Sequence, residues 1–330
     1  MEFQLALKYL VILSCFLGFL HLFVRNAHRF GLSDKPNFRS SHDYPVVRGG
    51  GIVFGLGWLI VSAIEGSFFN AFNLGLLLLM IIGLWDDING LSSFIRLFIQ
   101  FVSVFLMAYF FDLFNIYGIA WACILILMIT YLINVFNFMD GINGILGLNA
   151  LTVFYLFFKS GLIEFNTVSA YFVLFLSLIS FLFFNFRIKA KVFSGDVGSL
   201  SVSFLLIGGL LHLYTTFNPV MNGFMFSAYL LIPVSIFMID SLTTILHRLM
   251  HRENIFQSHR FHLYQIITPT YTNHHLLVSL IYAFFQLAFT YFISVLTDIR
   301  YVILSFLFLF FLFFLLRIVL LRRSSQLTGR

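Results

Sequence analysis

The sequence predicts an all-α, polytopic integral membrane protein, and three observations carry that prediction. Hydrophobic residues make up 61% of the 330-residue chain and charged residues only 10%, where soluble domains carry roughly 25% charged residues. The mean hydropathy is +1.00. Apolar stretches long enough to cross a bilayer, about 20 residues each, follow one another, and four short polar islands at 83–87, 134–144, 191–199 and 258–265 interrupt them. About eleven spans are expected, at 4–24, 49–66, 71–85, 93–111, 118–138, 143–159, 167–186, 198–216, 223–243, 275–297 and 301–320. The chain 1–330 reads as a single transmembrane domain, without a separate soluble module, linker or internal repeat.

The first stretch lacks a small-residue cleavage site and is followed by further spans, so it reads as an uncleaved anchor. Cys15 and Cys123 lie inside apolar runs without metal-ligand spacing and read as small core hydrophobes. Before the second span, Asp34-Lys35-Pro36-Asn37-Phe38-Arg39 leads through His42 to Arg48-Gly49-Gly50-Gly51, a cationic loop closing on a glycine turn. The third span ends on Gly83-Leu84-Trp85-Asp86-Asp87. An ionised Asp at a helix centre costs about 2.5–3.5 kcal/mol on insertion scales, so the pair belongs at an interface or polar cavity. Adjacent carboxylates can hold Mg²⁺, supply a base, or form a solvated helix cap.

The fifth span closes on Asn134, Asn137, Asp140 and Asn143, followed by Gly144. Spacing of three keeps these groups near one helical face. Such a stripe can ligate a metal, bond a base edge, line a sugar pocket, or hydrogen-bond between helices. In Lys191-Val192-Phe193-Ser194-Gly195-Asp196-Val197-Gly198-Ser199, glycines allow close backbone approach and Asp196 precedes the next helix. N–H groups there, with Lys189 and Lys191, suit phosphate oxygens, and Phe193 can stack on a base or simply pack. The 244–272 loop gathers His247, Arg248, His251, Arg252, His259, Arg260 and His262. No Cys or Glu completes a convincing tetrahedral zinc set, so Arg and His facing a diphosphate are the better reading.

Orientation follows from the Lys and Arg distribution. With alternating sides, the 25–48 loop, Arg96, residues 187–191, the 244–272 loop and the tail hold sixteen of the nineteen Lys and Arg residues. That predicts an outside N-terminus, a cytoplasmic C-terminus, and all four polar islands at the cytoplasmic face. The net charge of +6 has no basic soluble module behind it, so nucleic acid is not an expected partner.

Taken together and in order, these motifs resemble the polyprenyl-phosphate N-acetylhexosamine-1-phosphate transferases (glycosyltransferase family 4), over residues 34 to 265. The resemblance implies a cytoplasmic UDP-N-acetylated sugar and a membrane-bound polyprenyl phosphate as substrates. It also implies Mg²⁺, or alternatively Mn²⁺, as cofactor, and UMP as the leaving product. Residue by residue, it implies catalytic roles for Asp86, Asp87, Asp140 and Asp196, and a metal held by Asn137, Asp196 and Asp87. Substrate contacts fall to Arg48 and His42 in the first loop, Asn143, Phe193 and Lys191, and the His259, Arg260 and His262 loop. The setting implied is the bacterial inner (plasma) membrane, with a homodimer as an option for assembly.

Two departures bear on the family branch. Asn143 stands where many bacterial members carry Asp, which excludes it as a base. His259-Arg260-Phe261-His262-Leu263-Tyr264-Gln265 resembles the O-antigen and capsule initiating subgroup more than the peptidoglycan or teichoic-acid enzymes. The sugar stays open between N-acetylfucosamine, N-acetylquinovosamine, N-acetylglucosamine and N-acetylgalactosamine. A multi-span transporter of a phosphorylated solute is the rival class. Carriers, however, place their sites near the bilayer midplane, whereas these carboxylates gather at one face.

Overall fold

The structure is a computed structural model and describes residues 2–34, 44–163, 169–217, 223–254, 260–268, 274–296 and 298–328. Its helices are α1 (Glu2–Asn26), α2 (Ile52–Ile64), α3 (Ala71–Asn89), α4 (Ser93–Phe110), α5 (Leu113–Met139), α6 (Ile145–Lys159) and α7 (Ala170–Asn185). They continue as α8 (Gly195–Phe217), α9 (Gly223–Leu231), α10 (Ser235–Met250), the short α11 (Leu263–Ile267), α12 (His275–Ser294) and α13 (Ile299–Thr328). Among the described residues, the strands are β1 (Ser33–Asp34) and β2 (Val46–Val47), paired antiparallel.

This is an all-α polytopic membrane protein. Among the described residues, eight helical stretches are long and apolar enough to cross a membrane, and Ile52–Ile64, Ile145–Lys159 and Ala170–Asn185 are shorter apolar helices. The three short helices lie on the expected spans 49–66, 143–159 and 167–186. Two are trimmed at their N-terminal ends by glycine turns: Gly49 and Gly144 hold φ of 83° and 86°, a left-handed backbone that L side chains avoid. Elsewhere the starts follow local capping chemistry, since Asn70, Ser92 and Ser169 each accept the N–H three residues on, satisfying an otherwise orphan donor.

The bundle is built around α8, of which 94% is buried, as befits a helix apolar on every side. By contrast, α1 is 6% and α13 11% buried, so both show most of their surface outward. In lipid the apolar effect between helices is weak and close packing governs association. Accordingly, a Cβ on Gly83 of α3 would come within 2.6 Å of the Val197 backbone of α8, so the two backbones nearly touch. The buried hydroxyls of Thr130 and Ser203 donate to the carbonyls four residues back, the usual recourse of a mid-helix hydroxyl.

One cation moves relative to the sequence reading. Arg317, inside the expected span 301–320 but needed in the tail group to reach sixteen Lys and Arg residues, is wholly buried inside the bundle. The positive end of the chain therefore begins later, at Arg322.

Candidate active site

The polar islands meet where α3 and α5 end and α4 and α8 begin. Asp86 and Asp87 sit in the last turn of α3. Leu91 donates its N–H to Asp86 Oδ1 at 2.5 Å. Arg96, in the first turn of α4, donates through one nitrogen to Asp86 Oδ2 and Asp196 Oδ2, each at 2.9 Å. The two carboxylates, 110 positions apart in sequence, come within hydrogen-bonding reach of each other. Their side chains stay 11% and 25% exposed, so the pair is open to an incoming ligand.

Asp87 points the other way. It is buried and accepts the N–H groups of Asp196 and Val197 at 3.0 and 3.2 Å, which caps α8 with negative charge at its positive end. Arg48 acts on it through space. Asp140 follows the end of α5 and accepts the Ser194 hydroxyl. Burial pushes its carboxyl up to about 7, with the Asp87 charge adding to the rise and the Ser194 bond opposing it. Asn137 Oδ1 accepts the Ser199 hydroxyl at 2.8 Å, tying the end of α5 to the start of α8.

A main-chain brace fixes this arrangement. Phe193 N–H donates to Val47, and the N–H groups of Gly50 and Gly51 donate to Phe193 and Ser194, at 2.8, 2.9 and 3.0 Å. The glycine turn thus seats the first loop against the start of α8. No side chain fits there, because a Cβ on Gly51 would meet the Cα of Gly198.

The remaining expected residues sit around this centre. Asn143 donates to the carbonyls of Arg187 and Ile188 at 2.7 and 3.4 Å, so its amide braces the turn before α8. Asn134 pairs with Gln100 of α4 at 2.5 Å, the interhelical alternative for that stripe. Phe193 is half-buried and Lys191 exposed. His262 precedes α11, whose Tyr264 hydroxyl donates to Phe138 at 3.2 Å and whose ring covers Gly141. Burial holds the Tyr264 phenol far above its ordinary range, so it remains a donor. Arg260 is exposed at the same edge. His42 and His259 lie outside the described residues.

Sequence reasoning missed Arg96, Ser194 and Ser199 as site residues. Arg96 had a signal: a lone cation one turn past a helix start, just beyond two carboxylates.

Among the described residues no three His, Cys, Asp or Glu side chains form a ready metal cluster. The donors present still fit Mg²⁺. They are all oxygen, and Mg²⁺ is commonly held by one or two carboxylates, with phosphate oxygens and waters completing its shell. Asp86 and Asp196 already converge on one cationic nitrogen of Arg96, a stand-in for such an ion.

Fold and site define a multi-pass membrane protein with an acidic, oxygen-donor centre at one end of its bundle. Comparison with known proteins narrows the class. The family model described as Glycosyl transferase family 4 matches residues 69–215. The chain is 26% identical, over 302 residues, to a Bacillus subtilis (strain 168) protein described as "Probable undecaprenyl-phosphate N-acetylglucosaminyl 1-phosphate transferase". The match covers 84% of this chain and 81% of that protein. Both findings bear out the resemblance to the family 4 polyprenyl-phosphate sugar-1-phosphate transferases.

Proposed function

We propose that the protein transfers an N-acetylated sugar 1-phosphate from a UDP-sugar to undecaprenyl phosphate, releasing UMP, and so starts a lipid-linked surface glycan of the O-antigen or capsule kind. The observation that carries this reading is the convergence of Asp86, Asp87, Asp140 and Asp196 from three helices onto one end of a membrane bundle. A transporter would gather such groups near mid-membrane. A lipid phosphate and a water-soluble diphosphate, in contrast, meet at the interface. The relative's printed name favours N-acetylglucosamine among the candidate sugars.

In the reaction, a non-bridging oxygen of the lipid phosphate attacks the β-phosphorus of the UDP-sugar. The bond from that phosphorus to the bridging oxygen breaks, and its electron pair leaves with UMP. One phosphoanhydride replaces another, so the step is reversible and needs positioning and charge neutralisation more than covalent help. Asp86 and Asp196 would hold Mg²⁺ in place of the expected set of Asn137, Asp196 and Asp87, because Asp87 is turned onto the start of α8 and Asn137 onto Ser199; when bound, the ion would neutralise diphosphate charge. Arg96 keeps these two like charges together. Asp87 fixes the start of α8, and with it the direction of Asp196. Asp140, with a carboxyl near 7, is matched to taking or returning a proton at neutral pH. Arg48, Lys191 and Arg260 are the cations, and His262 the imidazole, assigned to the diphosphate.

The full chain, purified in detergent and given labelled UDP-N-acetylglucosamine, undecaprenyl phosphate and Mg²⁺, is expected to release UMP and label the lipid. Asp196→Asn and Asp86→Asn should each lower the rate by about 10²- to 10³-fold, the size of losing one charge-stabilising group. No UMP from any member of a UDP-sugar panel, or solute uptake into vesicles without cleavage, overturns the reading.

A further inference from the structure

Away from the carboxylate centre, one buried carboxylate supports the α11 edge of the site. Asp240 of α10 is fully buried. Its carboxylate accepts the Leu263 N–H at 2.9 and 3.1 Å, the Tyr282 hydroxyl at 2.7 Å and Arg317 Nη2 at 2.7 Å. It stands 3.8 Å from His262 Nδ1, and the Thr244 hydroxyl lies 3.3 Å from the same nitrogen.

Arg317 comes from α13, a helix that otherwise turns most of its apolar surface outward. Its Nη2 also reaches the Asp240 carbonyl at 3.1 Å, so one nitrogen grips both the side chain and the main chain of Asp240. The Nε and Nη1 of Arg317 are buried without a partner among the described residues. Stability alone does not favour such an arrangement. Desolvating a buried ion pair often costs more than its attraction returns, and unmade donors add to the cost. The pair instead supplies direction, since one guanidinium nitrogen binds the Asp240 carboxylate and its main-chain carbonyl together.

From Asp240 the contacts run straight to the site. Leu263 opens α11. The rings of His262 and Tyr264 stack at 5.9 Å with an interplanar angle of 13°, and Tyr264 is seated on Gly141 beside Asp140. A shift of Asp240 would therefore be felt at His262, Tyr264 and the Asp140-Gly141 turn together.

We propose that Arg317 is a positioning residue. By holding Asp240 it fixes the start of α11, and with it the His262 imidazole and the Tyr264 ring against the Asp140-Gly141 turn. This rests on the transferase reading, because His262 is the residue through which Arg317 would act on the diphosphate.

Four variants of the full chain test it: Arg317→Met, Arg317→Lys, His262→Ala and the Arg317→Met/His262→Ala double variant. Arg317→Met should lower kcat for UMP release at least about tenfold, with a much smaller change in KM for the UDP-sugar, and Arg317→Lys should recover at least about a third of it. In the His262→Ala background, Arg317→Met should cost no more than about threefold further, because coupled residues are not additive. Equal losses in both backgrounds, or a wild-type kcat in Arg317→Met, overturn the proposal.

Amide exchange gives a readout independent of turnover. The 263–267 peptide should exchange at least about tenfold faster in Arg317→Met, while peptides of α3 and α8 keep their protection. Unchanged α11 exchange, or loss of protection throughout, also overturns it. If the wild-type chain releases no UMP, the transferase reading fails, and the exchange pattern still decides whether Arg317 holds α11.

Discussion

Asp140 gives the site a built-in response to pH. Its carboxyl is raised to about 7 by burial and then by the Asp87 charge, against an unfolded value of about 3.9. The folded protein therefore holds this proton more tightly than the unfolded chain does. The stabilisation is fully present below about pH 4 and is lost as pH rises towards 7, amounting to at most about 4 kcal/mol over the whole range. In metal-free buffer the unfolding temperature of the detergent-solubilised protein should fall between pH 5 and 8, and Asp140→Asn should flatten that slope. An identical slope in the variant would remove Asp140 as its source. The four carboxylates were legible in the sequence because ionised groups are costly beside apolar spans. Their partners were not. Arg96 is ten positions from Asp86 and 100 from Asp196, and only the fold brings the three together. Asn143 shows the opposite gap: its place in the stripe was visible, but its use on the carbonyls of Arg187 and Ile188 depends on how the turn before α8 folds.

At the level of elements, the spacing of the acids depends on how closely α3 and α8 cross. Gly83 lies one turn before Asp86, and a Cβ there would meet Val197 N and Cα at 2.6 Å. Those atoms belong to a helix backbone and cannot rotate aside, so Gly83→Ala must push the helices apart. Overpacking of this kind costs about 1–3 kcal/mol, and a shift of about 1 Å at a reacting centre can cost up to 10²-fold in rate. Gly83→Ala should therefore lower both the unfolding temperature and UMP release. Gly18→Ala, where nothing lies within 4 Å, should change neither. Wild-type turnover in Gly83→Ala would show that this crossing does not set the geometry. Helix positions were readable from hydropathy because each expected stretch carries a helix. Ends were less so: α2 and α6 start late, where chain is given over to the glycine turns that brace the site. The value of Gly49, Gly50 and Gly51 was hidden because their partners, Phe193 to Gly198, lie about 145 residues on.

For the whole molecule, the proposed reaction depends on which side of the membrane the acidic end faces. A UDP-sugar is charged and made in the cytoplasm, so the proposed reaction requires that end to face inward. The Lys and Arg distribution leads to the same side, even after Arg317 is moved from the tail into the bundle, because the loops before α2, before α8 and after α10 keep their cations. Two exposed positions separate the ends. Ile188, 86% exposed, lies in the turn before α8, while Phe69, 96% exposed, lies before α3 at the far end. Cys15 and Cys123 are exposed on the bundle surface rather than in its core as expected; with both first replaced by Ala, a membrane-impermeant maleimide should label Ile188→Cys only in inside-out vesicles. It should label Phe69→Cys only in intact spheroplasts. The reverse pattern would put the carboxylates on the side that has no nucleotide-sugar, and the transferase reading could not stand with it.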